Sequence, residues 1–362
     1  MSTLRELKKK IDKKVKGVHC ELLSDSEIMN CENWISTPSH DLNRIISGDL
    51  FKGIPERSMI FLAGQEGSFK SSFACICAAN SQKEGYKVII IDTEGGLSGE
   101  FVKRWGLNPD DILYIYEPIV DNISVILAQI HEEEDERFLI ILDSIGGLES
   151  NKLLNDAADG NVKADQGGLA RKIKQMMKLF TSIVKKKSSI GIYTGHTYGS
   201  PNAGLYATEE EIGGGKACKY LADSIIMLKK SKKYDKDKVV VGNVVKAITL
   251  KNRFYPAFSK CEVDIDYVHG INKVHGMFDL AEKFGFITKA GAGWCTNVLT
   301  NEKVQGIEKT IPWFNDDMLK KINEELKNTG YSTIDEELKD SLKDVEELKE
   351  ELIDAETGEV KL

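Results

Sequence analysis

The chain has 362 residues but no run of about eighteen apolar ones, the length a helix needs to cross a bilayer. Residues 1–10 contain no apolar stretch of the kind a secretory signal requires. No two of the seven cysteines stand in Cys-x-x-Cys spacing, and their number is odd. Cys75 and Cys77 lie two apart on what reads as a helix, so they face different ways. These absences predict reduced thiols, no membrane partner and a cytoplasmic home. Net charge is missing from most of the chain as well. Residues 331–362 hold twelve acids and four bases, which is the whole formal charge of −8 and leaves the body balanced at 45 of each sign. The pI of about 5.5 therefore does not argue against a basic surface on that body.

What the chain does have is a phosphate-loop signature. An apolar run, Met59-Ile60-Phe61-Leu62-Ala63, leads into Gly64-Gln65-Glu66-Gly67-Ser68-Phe69-Lys70-Ser71, and residues 72–79 continue as an expected helix. Strand, tight loop and helix in that order nearly match G-x-x-x-x-G-K-[ST]. The backbone N–H groups of such a loop, with a helix N-terminus behind them, make a site for polyphosphate. Lys70 would reach the β- and γ-phosphates of ATP, and Ser71 would place a hydroxyl on Mg²⁺. Phe69 departs from the pattern, standing where it asks for glycine.

Around this loop the text alternates. Residues 3–16 read as a basic amphipathic helix with Leu4, Leu7, Ile11 and Val15 on one face, a seam that needs a partner. A polar linker follows over 17–34, then a short helix at 40–47 that should stop at Gly48. Apolar runs at 88–91, 138–142, 190–193 and 222–228 lack the alternation of a half-exposed strand and suit a parallel sheet covered on both faces. Helices are expected between them, over 123–136 and 169–187. The reading is an α/β fold with a mostly parallel central sheet and its chemistry along one edge. Beyond 236 the pattern predicts antiparallel strands at 239–250 and 261–267, a helical module at 277–285, a turn at 291–293 and a charged helix from 315.

Several residues could carry chemistry. Asp143 ends an apolar strand in the place of a Walker B acid, which fixes a Mg²⁺-bound water; an Asp capping the next turn is the plainer alternative. Glu94 follows the strand at 88–92, which we expect beside the phosphate-loop strand, where a carboxylate could polarise an attacking water. The competing reading is an acid opening the turn at Gly95-Gly96. His196 follows a buried strand and precedes a Gly/Ser/Pro/Asn-rich stretch; a lone histidine there is either structural or within reach of a γ-phosphate. Gly213-Gly214-Gly215 leads into a helix from about Lys216, as an anion site or as a hinge. Arg171, Lys174 and Lys178 share one helical face, either solvated or laid against a DNA backbone.

In this order, Ile35-Ser36-Thr37-Pro38-Ser39, the phosphate loop, Asp92-Thr93-Glu94-Gly95-Gly96-Leu97, Leu142-Asp143-Ser144, Gly213-Gly214-Gly215-Lys216-Ala217 and Leu250-Lys251-Asn252-Arg253 resemble the RecA-type recombinases. The resemblance covers about residues 34–295, including the stretch from Gly270-Ile271-Asn272 to Gly293-Trp294. Phe69-Lys70-Ser71 and His196-Thr197-Tyr198 look like the T-even-phage branch of that family. The resemblance implies a RecA-like P-loop ATPase core that binds ATP and Mg²⁺. ATP would lie on Gly64, Gln65, Glu66, Gly67, Ser68, Phe69, Lys70, Ser71 and Ser72, with Phe101 and Tyr267 against the base. Glu94, Lys70, Asp143 and His196 would be catalytic, His196 as the γ-phosphate sensor, and Ser71 and Asp143 would serve the metal. Lys251 and Arg253 would reach the nucleotide of an adjacent subunit; Arg253, where bacterial members carry Lys, keeps the charge and changes the geometry. Residues 155–168 and about 197–215 look like the two DNA-binding loops, with Arg171, Lys174, Lys178, Gly213 and Gly214 on DNA.

The implied partners are single- and double-stranded DNA, further copies in a helical filament, mediator and single-strand-binding proteins, and no membrane. The implied domains are 1–33, a polymerisation helix and linker; 34–268, the ATPase core; 269–330, a small C-terminal unit; and 331–362, an acidic tail. The preferred function is an ATP- and DNA-dependent recombinase. A ring-forming helicase motor shares the nucleotide motifs, but it would be expected to carry a sizeable extra domain, and only about 33 residues precede the motif block. The third reading is an ATP-gated polymer in which hydrolysis is incidental.

Overall fold

Thr3 opens α1 (Leu4–Lys14) with a capping box, exchanging hydrogen bonds with Glu6. None of the helix is buried, and Leu4 and Leu7 face solvent. The structure, a computed structural model, describes residues 3–15, 20–25, 31–133, 136–152, 160, 167–197, 216–235 and 237–329. Gly213, Gly214, most of both expected DNA loops and the tail at 331–362 lie outside the described residues.

β1 (Trp34–Ile35) pairs antiparallel with β2 (Ile54–Pro55), and between them α2 (His40–Ser47) starts at Ser39 and ends at Gly48, whose φ of 77° is the left-handed turn that favours glycine. The main body then runs β3 (Ser58–Gly64), α3 (Lys70–Lys83), β4 (Lys87–Asp92), α4 (Gly99–Arg104), β5 (Ile112–Tyr116), α5 (Val120–Glu132), β6 (Phe138–Asp143), α6 (Gly168–Lys186), β7 (Ile190–His196), α7 (Lys216–Leu221), β8 (Ser224–Tyr234), β9 (Val240–Asn252), β10 (Lys260–Asp266) and β11 (Gly270–Asn272). A smaller unit follows: α8 (Met277–Lys283), β12 (Ile287–Ala290), β13 (Trp294–Asn297), β14 (Lys303–Gln305) and α9 (Asp316–Thr329).

One 9-stranded sheet, in the order β11-β10-β9-β8-β3-β7-β6-β4-β5, organises the body. It is parallel from β8 to β5 and antiparallel from β8 to β11. The continuous apolar runs of the central strands are explained by cover on both faces. Ile60, Leu62, Val88 and Ile90 point into a core with α2 and α3, while Met59, Phe61, Ile89 and Ile91 point into a core with α5 and α6. The expectation that Glu94's strand adjoins the phosphate-loop strand is corrected: β7 and β6 stand between β3 and β4. The chain leaves β3 through α3 and crosses over two strand positions. That crossover opens a crevice at the strand C-termini, where open α/β sheets hold their ligands.

The large sheet takes in β11, which lies past the boundary expected at 268. The C-terminal unit has its own core, with Met277, Trp313, Met318 and Ile322 packed around Leu50 of the main body. The Leu50 amide donates to Asn323 Oδ1 at 2.8 Å, and Lys327 pairs with Asp49 at 2.8 Å. The turn expected at 291–293 joins the first two strands of its three-stranded sheet, β12-β13-β14, whose strands were not themselves foreseen.

Candidate functional site

The crevice is built from strand ends. In register, Gly64 of β3 lies opposite His196 of β7, and Asp143 of β6 lies opposite Asp92 of β4. Gly64 has no room for a side chain: a Cβ there would come within 2.4 Å of the Leu228 carbonyl and 2.5 Å of Ser68 Oγ. The loop it opens folds over Lys70, whose Nζ donates to the carbonyls of Gly64 at 2.9 Å and Gln65 at 2.7 Å. Burial pulls the Lys70 ammonium below its usual range, against the attraction of Asp143, Glu94 and Glu66.

Phe69 adopts φ 82° and ψ 6° at the junction of loop and helix. This is the left-handed conformation that glycine takes freely and that costs other residues about 1–2 kcal/mol. The departure from the sequence pattern is therefore a departure in chemistry and not in backbone. The Phe69 ring meets the edge of Trp105 at 5.6 Å and 84°, and Phe101 meets Trp105 at 6.4 Å and 74°.

Asp143 accepts hydrogen bonds from the hydroxyls of Ser71 and Thr194. Burial raises its carboxyl above the usual range, the two hydroxyls oppose this, and repulsion from Glu94 and Asp92 adds to it. Glu94 accepts from Ser144 Oγ and lies 3.1 Å from His196 Nε2. It reaches this point because buried Asp92 holds the turn that carries it. Asp92 Oδ1 accepts from the amides of Glu94 at 2.9 Å and Gly95 at 2.8 Å, and Oδ2 from the Leu97 amide at 3.2 Å and the Tyr114 hydroxyl at 2.9 Å. Thr93 Oγ1 exchanges bonds with the Ser144 carbonyl at 2.7 Å and amide at 3.0 Å, stitching the ends of β4 and β6 together. Sequence reasoning missed Thr93, Ser144, Thr194 and Trp105. Small hydroxyls next to strand-end acids were the available signal for Thr93 and Ser144.

A cavity of about 910 Å³ brings together Glu66, Gly67, Ser68, Phe69, Lys70, Ser71, Ser72, Glu94, Phe101, Asp143, His196 and Tyr267. Gly64 and Gln65 are not among its lining residues; their carbonyls hold Lys70. Arg104, Trp105, Lys230, Asn243 and Asp266 also line it and were not foreseen. A Cβ on Gly67 would lie 3.2 Å from Lys230 Nζ, so this second ammonium hangs beside the loop. The Lys-Lys-Ser-Lys-Lys run at 229–233, directly after an apolar strand, was its trace in the sequence.

Other expected residues lie elsewhere. Arg171, Lys174 and Lys178 stand exposed along α6 opposite its buried Ile173, Met177 and Phe180. Lys251 donates from Nζ to the carbonyls of Lys219, Tyr220 and Ala222 at 3.2, 3.0 and 2.7 Å, and Arg253 pairs with Asp223 at 2.9 Å. Both sit where β3 begins, since Ile60 pairs with Ser224 and Ser224 with Asn252. One strand length, roughly 17 Å, separates that end from the chain's own phosphate loop.

The cavity thus holds a buried ammonium and a half-buried carboxyl, both pushed toward neutrality by their surroundings. A polyphosphate carrying a hard cation relieves both penalties at once. Ser71 and Asp143 offer a hydroxyl and a carboxylate oxygen, a donor set that suits Mg²⁺ sharing its remaining positions with phosphate and water. Among the described residues no group of three His, Cys, Asp or Glu could hold a metal alone. None of their helices is long and apolar enough to cross a membrane.

The chain is also similar to known proteins. The model of the RecA N-terminal domain matches residues 2–272. Protein RecA of Leptospira biflexa serovar Patoc is 27% identical over 345 residues, covering 92% of this chain and 84% of that protein. Protein RecA of Rhodopseudomonas palustris is 28% identical over 269 residues, covering 70% and 73%. The crystal structure of the RadB recombinase is 18% identical and covers 61% of this chain and 92% of that one, at a TM-score of 0.46.

Proposed function

The chain belongs to the RecA family, and from that premise we propose that it is a Mg²⁺- and DNA-dependent ATPase that forms helical filaments on single-stranded DNA. There it carries out homologous pairing and strand exchange, serving recombination, repair and recombination-dependent replication. The observation that carries the reading is a loop of phosphate-binding form folded over Lys70, with Asp143 and Glu94 lining the same cavity.

On this reading the loop at 64–72 wraps the phosphates, and Lys70 turns from its carbonyl partners to the β- and γ-phosphates. Ser71 and Asp143 hold Mg²⁺, which when bound neutralises charge growing on the phosphate oxygens. Glu94 orients and polarises the attacking water. His196, bonded to Glu94, relays the state of the γ-phosphate into the second DNA loop. Phe101 and Tyr267, which line the same cavity, flank the base. Lys251 and Arg253, too far from their own loop, close the site of a neighbouring copy. The unpartnered seam of α1 docks on that neighbour. Arg171, Lys174, Lys178, Gly213 and Gly214 contact the DNA backbone, and mediator and single-strand-binding proteins attend assembly in the cytoplasm. Phe69 and the His196-Thr197-Tyr198 run favour the T-even-phage branch, which would make that cytoplasm a host cell's. We divide the chain into a polymerisation segment, a core running through β11, a C-terminal unit and an acidic tail.

The test measures ATP turnover with and without single-stranded DNA and joint-molecule formation on the same preparation. Stimulated turnover with strand invasion is expected. Absence of stimulation and of filaments by electron microscopy overturns the reading, and directional unwinding of a fork without strand exchange would assign a helicase motor instead.

A further inference from the structure

We propose that Trp105 is a positioning residue for the phosphate loop: its indole holds Phe69 in the left-handed turn, so that the base side and the phosphate side of the cavity order as one. The inference rests on the nucleotide reading above and adds a coupling to it.

Phe69 immediately precedes Lys70, and its φ of 82° must be held there against the preference of a residue with a side chain. No side-chain hydrogen bond caps the helix that starts at Lys70. The Lys70 bonds to the Gly64 and Gln65 carbonyls and packing of Phe69 on the main core help hold the junction, and the Trp105 ring, edge-to-face at 5.6 Å, is the aromatic contact beside it. Trp105 in turn stands at the end of α4, where its backbone amide donates to the Lys103 and Val102 carbonyls and Val102 is buried in the main core. Its Nε1 is buried and meets no hydrogen-bond partner among the described residues, so packing on the main core and ring contacts set its position. The second of those contacts is Phe101, at 6.4 Å, on the base side. Phe69, Trp105 and Phe101 form a chain of rings from the residue before the phosphate-binding lysine to the wall that faces the base. A glycine at position 69 would need no such brace. The brace is thus the counterpart of the substitution, and a ligand pressing on the Phe101 side tightens the loop that holds its phosphates.

The experiment separates bracing from direct contact. ATP and base-free inorganic tripolyphosphate are titrated against the full chain and against Trp105→Ala, Trp105→Phe, Phe69→Gly and the Phe69→Gly/Trp105→Ala pair, with kcat and KM for ATP measured alongside. Trp105→Ala should weaken both ligands by roughly three- to tenfold, the range of an edge-to-face ring pair, and raise KM more than it lowers kcat. Trp105→Phe should recover to within about twofold, and in the Phe69→Gly background the same alanine substitution should cost about twofold or less. Should Trp105→Ala fail to fold, Trp105→Leu, which keeps bulk without the aromatic edge, carries the same comparison. The proposal is overturned if ATP binding weakens while tripolyphosphate binding is unchanged, because Trp105 then touches the base and does not act through Phe69. Equal losses in the Phe69 and Phe69→Gly backgrounds overturn it too. An intact chain that binds neither ligand removes the nucleotide reading itself.

Discussion

Replacing Asp223 by alanine should loosen the molecule at the root of its central strand. The carboxylate is 3% exposed and serves three partners: the Met59 amide at 2.9 Å, Lys185 Nζ at 2.6 Å and Arg253 at 2.9 Å. Their contributions differ in kind. Met59 is fully buried at the start of β3, and an orphaned amide there costs about 1–3 kcal/mol. Lys185 and Arg253 are 40% and 60% exposed, so water screens them, and each ion pair is discounted to about 0.2–1 kcal/mol. The sum is a loss of about 1.5–5 kcal/mol for Asp223→Ala. Asp223→Asn keeps an acceptor for Met59 and should lose about 0.5–2 kcal/mol. Urea unfolding followed by far-UV circular dichroism at pH 7 reads both, and repeating it at 0.5 M salt separates the screened ion pairs from the unscreened amide bond. A loss below about 1 kcal/mol for alanine, or an asparagine variant as damaged as the alanine one, refutes the assignment of most of the energy to the Met59 bond.

Glu94→Gln should lower ATP turnover by about 10²–10⁴-fold while nucleotide affinity stays within about threefold, since the amide keeps the shape and loses the base. Parallel kinetics and titration check this, and an equal loss of both would make Glu94 a binding group. Burial opposes ionisation of Asp49, but Lys327, the Phe51 amide and Asn323 outweigh it and hold the carboxyl below its ordinary 3.8. Because the folded value is the lower one, the stabilisation is present above 3.8 and is lost as pH falls through the folded value. Asp49→Asn should therefore cost about 1 kcal/mol at pH 7 and little near pH 2, and a gap independent of pH in thermal melts would contradict it. Truncation after Thr329 should tighten single-stranded DNA binding at about 0.1 M salt, because the removed segment carries the whole net −8. Unchanged affinity in a fluorescence-anisotropy titration would remove the tail as a competitor.

The unit of strand, loop and helix around Lys70 was legible because its local pattern and its tertiary role coincide. The buried strands were legible because parallel strands covered on both faces have no polar alternation to confuse them. β5 was missed for the opposite reason. At the sheet edge its Leu113, Tyr114 and Tyr116 are largely exposed, so its five residues carry no burial pattern. The order of strands is not written in their sequence, which is why Glu94 could be named while its strand was placed beside β3 in error. Its approach to the site depends on the local turn bonds of Asp92 and on the bonds between Thr93 and Ser144, which span about fifty positions of chain. Trp105 was invisible because an aromatic residue at a helix end reads as core until the strained neighbour it supports is seen.

The separation between the two ends of β3 has a consequence of counting. If Lys251 and Arg253 complete a site only on the next molecule, an open row of chains always has one fewer finished site than it has members. A lone chain has none, a pair has one, and only long rows approach a site for every chain. Turnover per chain would then rise with row length even though no chain changes. The member at one end would hold its ligand without the neighbour's cations, and that end would be the one at which the row grows or shortens first.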